Sequence, residues 1–117
     1  MGLSAEVLAL GLFSREVADL LDYPPSYYAT TRPGSRVVTT LFGIVEGSSA
    51  SREFAEALGI SNPWDFDQHC LDPSTVDFGR IRKVLSGFSE NTEYLRDADR
   101  MEALAKHGFE FIFLPNG

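Results

Sequence analysis

The densest run of reactive side chains lies in residues 62–72, NPWDFDQHCLD, with the only tryptophan (Trp64), the only cysteine (Cys70), one of two histidines (His69) and three aspartates (Asp65, Asp67, Asp72). Asp65, Asp67, His69 and Cys70 are metal-ligand types. Transition-metal sites draw their ligands from separate elements at fixed distances, and neighbours such as His69 and Cys70 rarely reach one ion. No metal or other cofactor is therefore assigned. Nucleophilic use of Cys70 requires a base and a depressed thiol pKa. His69 is adjacent and projects away from it, so His107 would have to arrive from elsewhere in the fold. A free cysteine is more often a small buried hydrophobe.

Serine chemistry is no better supported. Ser35, Ser48, Ser49 and Ser86 all lie within two residues of a glycine, yet none sits in the G-x-S-x-G elbow that exposes a strained nucleophile. Neither glycine-rich phosphate loop, G-x-G-x-x-G or G-x-x-x-x-G-K-[ST], occurs. No catalytic residue is assigned, and the reading leans away from an enzyme. Arg80, Arg82 and Lys83 read as a solvated helix end, where cations suit the macrodipole.

One asymmetry remains. Residues 61–79 carry four acids (Asp65, Asp67, Asp72, Asp77) and no Lys or Arg, interleaved with Trp64, Phe66 and Phe78. Aromatic anchors supply contact energy in an interface and carboxylates speed encounter with a basic partner. The blander alternative makes Trp64 and Phe66 core plugs beneath water-facing aspartates. A second acidic, aromatic stretch holds Glu16, Asp19, Asp22, Tyr23, Tyr27 and Tyr28. The expected partner-binding set is thus Trp64, Asp65, Phe66, Asp67, Asp72 and Asp77, joined by Asp19, Asp22, Tyr23, Tyr27 and Tyr28.

The elements that would position these residues follow from periodicity. Leu3, Val7, Leu10, Phe13, Val17, Leu20 and Leu21 keep a three-to-four residue rhythm, which predicts a helix over 4–22, with Ser4 as a cap, a break at Gly11 and Ser14 capping a second piece. A strand over 7–13 is the competing assignment. Pro24 and Pro25 end the segment. Residues 36–45 are β-branched and apolar on both faces, as in a central strand covered on each side. A helix near 50–58 stops at Gly59, and 60–72 reads as irregular. Asp72-Pro73 reads as the start of a helix running to about 86. A last helix over 92–107 ends at Gly108, before a strand over 109–114 stopped by Pro115. The expected fold is α+β: a single domain, 1–117, of about four helices on a short sheet, in the order α-β-α-α-α-β. Two strands alone make a marginal sheet, so a third strand hides in 1–35, helices clamp the pair, or another chain completes it.

Composition bounds what such a domain does. The 117 residues are 44% apolar and 23% charged, ordinary for a folded protein, and one cysteine excludes an internal disulfide. Seventeen acids against ten bases give a net charge of −7, the wrong sign for binding nucleic acid through phosphates. The apolar run at 7–13 is far shorter than the ~20 residues that span a bilayer, and Glu6 stands where a myristoylation signal needs Ser or Thr. The expected location is the cytoplasm, with no membrane partner. The function expected is a non-enzymatic binding module, an inhibitor or immunity-type protein that neutralises a partner, such as a toxin enzyme, with a basic active-site cleft. The alternative is a subunit of a homo-oligomer or larger assembly. Third is a small enzyme or ligand binder whose site, around His69, Cys70 and His107, assembles only in the fold.

Overall fold

The computed structural model describes residues 4–45, 48–60, 69–88 and 91–116. Four strands, β1 (Ser4–Leu12), β2 (Arg36–Val45), β3 (His69–Leu71) and β4 (Glu110–Asn116), form one sheet of order β2-β1-β4-β3. All three pairings are antiparallel. Three α-helices, α1 (Ser48–Ala57), α2 (Phe78–Ser86) and α3 (Asn91–Lys106), and two 3-10 helices, Arg15–Leu20 and Pro25–Tyr28, complete the described elements. The mixed α and β content is as expected. The order of elements is not, because the chain opens on a strand.

The segment expected to be a helix over 4–22 is β1 followed by the 3-10 helix Arg15–Leu20. Residues 7–13 are apolar at every position, so a helical rhythm can be picked out of a run that alternates equally well between two apolar faces. Val7 and Ala9 are fully buried while Leu8 and Leu10 are only partly so. Gly11 is fixed by packing: a Cβ there would lie 2.6 Å from the Phe109 ring. Ser14 does stand at the start of the 3-10 helix, without a side-chain capping bond.

β2 has the expected bounds but lies at an edge rather than the centre of the sheet. Its outward amides are held by carboxylates instead of a strand: Thr40 N donates to Asp22 (3.1 Å) and Phe42 N to Asp97 Oδ2 (2.9 Å). Carboxylates on an edge strand block edge-to-edge pairing. At Phe42 and Gly43 the backbone takes φ values of 74° and 75°, beside a register shift against Ala5 and Glu6. The Phe42 ring, buried edge-to-face on Phe54 at 4.9 Å, holds that unusual conformation in place.

The stretch expected to be irregular contains β3, three residues paired with β4. Asp72-Pro73 does not start a helix. The Asp72 carboxylate accepts from Ser74 N and Oγ in a tight turn, and α2 begins at Phe78 with Asp77 as its cap, accepting from Arg80 N at 3.0 Å. Both aspartates have capping chemistry, and the turn consumes the first. Pro115 does not stop β4, which runs to Asn116. Pro115 stands opposite Ala5 of β1, beyond His69↔Phe113, the last β3–β4 pair among the described residues.

The cluster that holds the fold joins Val7, Ala9, Leu41, Phe111 and Phe113 of the sheet to Phe54, Ile81, Leu85, Met101 and Leu104 of the helices. Arg82 ties α2 to α3 through Asp99 (2.9 Å) and Glu102 (2.7 Å), and Arg80 reaches Glu56 of α1 at 3.4 Å. The basic cluster of the sequence is thus largely spent on ion pairs between helices. Glu102, then Asp99, raise the Arg82 pKa further.

Candidate partner-binding surface

Two prolines create the most exposed aromatic feature among the described residues. Pro24 and Pro25 preset the backbone for the 3-10 turn Pro25–Tyr28, closed by Tyr27 N on Pro24 O at 2.9 Å. That turn brings Tyr23 and Tyr27 together, ring centroids 4.5 Å apart and planes 27° apart, with 55% and 65% of their surfaces exposed.

The pair rests on a second aromatic layer. Tyr28 meets Tyr27 edge-on at 5.0 Å and stacks on buried Phe13 at 5.6 Å. Tyr28 is itself buried, which corrects its expected place on the contact surface: it supports the pair from below. Burial, more than the nearby Asp22 charge, raises the Tyr28 phenol pKa. Arg15 fastens the same turn from the side, donating to the Tyr28 and Ala29 carbonyls at 2.7 and 3.3 Å with its guanidinium 5.2 Å from the centre of the Phe13 ring.

On the other flank, Asp22 pins the loop to β2. Its carboxylate accepts from Thr39 Oγ1 at 2.6 Å as well as from Thr40 N. Arg100 of α3 donates to Thr39 Oγ1 (2.9 Å), Asp97 Oδ1 (2.7 Å) and the Leu20 carbonyl (2.9 Å), and lies 3.5 Å from Asp22. Thr39 is fully buried and the Arg100 side chain is 13% exposed. This network joins three separated stretches of chain, 20–22, 39–42 and 97–100, and was not foreseen from the sequence. Its one local signal is the Asp97–Arg100 spacing of three residues on a helix.

Asp19 is exposed and, among the described residues, makes no ion pair or hydrogen bond. Glu16 is 81% exposed and stands 4.0 Å from His107 Nδ1. Asp22, Tyr23, Tyr27, Asp19 and Glu16 thus belong to one segment between β1 and β2.

Of the remaining expected residues, the described ones, Asp72 and Asp77, do not join them. Trp64, Asp65, Phe66 and Asp67 lie outside the described residues. Asp72 follows β3, at the opposite edge of the sheet from β2, three strand spacings or about 14 Å away. Asp72 and Asp77 are exposed but committed to the turn and the α2 cap. Hydrogen bonds from Ser74 Oγ and then Ser74 N–H hold the Asp72 carboxyl below its ordinary value.

The chemistry-bearing residues are dispersed as well. His69 and Cys70 are neighbours on β3, so their side chains leave on opposite faces. His69 lies toward the core, 6.2 Å from the Phe113 ring, and Cys70 is exposed rather than buried. Among the described residues, no group of three or more His, Cys, Asp and Glu is placed to hold a metal ion, and no helix is long and apolar enough to cross a membrane. No protein-family model, curated protein or solved structure matches the chain.

Proposed function

We propose that this chain is a non-enzymatic protein-binding module of the inhibitor or immunity type, which neutralises a partner by covering a basic cleft. The observation that carries the reading is the exposed, pre-stacked Tyr23–Tyr27 pair. Large exposed aromatics are costly to leave in water and are enriched among residues that dominate binding energy. Tyr28, Arg15 and Asp22 fix the loop beneath them before any partner arrives, so little ordering entropy is lost on docking.

The acids set the partner's charge. Asp19 and Glu16 precede the pair on the same segment, in a chain whose net charge is −7. Such a surface raises the encounter rate with a basic site and leaves the tyrosines to supply the short-range contact. In a cleft that normally receives phosphate or nucleic acid, the carboxylates occupy the anion subsites and the phenol rings exclude water.

The test is affinity capture from cells of the native host with the tagged chain, read by mass spectrometry. A stoichiometric partner with a basic surface is the expected result. Recovery of the chain with no other protein contradicts the reading.

A further inference from the structure

The sheet has a second face, and the buried cluster uses only the first. Alternation along the strands puts Val7, Ala9, Leu41, Phe111 and Phe113 in the core, and Leu8, Leu10, Leu12, Val38, Ile112 and Leu114 on the far side. Leu12 and Val38 are 58% and 53% exposed, and the other four are partly exposed. At about 3.4 Å per residue and 4.8 Å between strands, these six apolar positions cover roughly 200 Å².

We propose that the occupant of this face is a second copy of the chain, packed sheet on sheet about a two-fold axis running along β1. Three charges lie on this face: Glu6 at one end of β1, and Arg36 and Glu110, which select that arrangement. Arg36 on β2 and Glu110 on β4 flank β1 on this face, opposite Leu12 and Leu10 respectively. Both are exposed, and among the described residues neither has an ion-pair partner. An axis along β1 lays β1 over β1 and β2 over β4, so Arg36 of each copy faces Glu110 of the other, twice. The stagger between them is two residues, about 7 Å, within the combined reach of the two side chains.

The sheet edge disfavours the competing mode of self-association. Asp22 and Asp97 already occupy the outward amides of Thr40 and Phe42, so a second β2 cannot add there as a strand. Between the copies, Leu8, Leu10 and Leu12 would form the seam of an aligned sandwich with sheets about 10 Å apart. The area is smaller than the roughly 800 Å² per partner of a standard interface, so association is reversible and in the micromolar range.

The experiment is sedimentation equilibrium of the purified chain across the micromolar range. The wild type is expected to show a reversible monomer–dimer equilibrium, and Leu12→Glu and Val38→Glu to remain monomeric with unchanged circular dichroism. Arg36→Glu and Glu110→Arg are each expected to weaken the dimer about tenfold, as like charges then face each other. The double variant R36E/E110R is expected to recover wild-type affinity to within a few-fold. A wild type that is monomeric throughout overturns the proposal. So does a dimer indifferent to Leu12→Glu, or a double variant as weak as the singles. None of these outcomes bears on Tyr23 and Tyr27, whose reading stands or falls separately.

Discussion

Tyr23 and Tyr27 stack in the open with their centroids 4.5 Å apart, while Tyr28, next in the chain, turns inward onto Phe13. Adjacent tyrosines therefore belong to different physical classes. The double variant Y23A/Y27A is expected to keep its unfolding free energy within about 0.5 kcal/mol, as surface changes do. Tyr28→Ala removes a buried ring and is expected to cost about 3 kcal/mol or more. Urea denaturation separates the two. Equal losses would mean that the exposed pair is part of the core.

Gly11 and Phe109 test the packing that makes the first segment a strand. Because a Cβ would lie 2.6 Å from the ring, Gly11→Ala is expected to destabilise by about 1–3 kcal/mol, the usual cost of overpacking. In the Phe109→Leu background the same change is expected to cost less, giving a measurable coupling in a double-mutant cycle. A neutral Gly11→Ala would remove the contact from the account.

The Arg100 network predicts both stability and local protection. Thr39→Val leaves Asp22 and Arg100 short of a fully buried partner, an expected loss of about 1–3 kcal/mol. Asp97→Ala frees the Phe42 amide from its 2.9 Å bond. Hydrogen exchange at Phe42 is expected to accelerate beyond what global destabilisation explains, with Asp22→Ala doing the same at Thr40. Unchanged exchange at both amides would mean that the carboxylates do not cap this edge.

Asp72 carries a pH dependence whose sign is fixed. Its folded pKa lies below the unfolded value near 3.8, first through Ser74 Oγ and then Ser74 N–H. The turn therefore adds stability at neutral pH that disappears as pH falls through the folded pKa. Asp72→Ala is expected to lower Tm at neutral pH, with the gap to wild type narrowing below pH 4 or so. In Ser74→Ala, the Asp72 carboxyl followed by NMR is expected to titrate closer to the ordinary value. A gap that widens in acid would contradict the turn.

The sequence revealed elements whose pattern admits one period and concealed those that admit two. α3 and β2 read correctly because polar residues interrupt the first at helical spacing and β-branched residues fill the second. The 4–12 segment misled because both of its faces are apolar, and that double apolarity is the trace of the open sheet face. β2 looked central for the same reason. β3 is too short for any periodicity to register. The tyrosine stretch was legible as aromatic and acidic, but the burial of Tyr28 and the anchoring of Asp22 depend on Phe13, Thr39 and Arg100. Those partners are 15, 17 and 78 residues away in sequence, beyond any local pattern.

The most direct test of the account is the affinity of the captured partner for wild type and Y23A/Y27A, measured by surface plasmon resonance at two salt concentrations. Loss of both anchors is expected to weaken binding by on the order of a hundredfold or more, mainly through faster dissociation. Asp19→Ala is expected to slow association, more so at low salt. A folded Y23A/Y27A variant that binds as tightly as wild type would contradict the assignment of this surface to the partner.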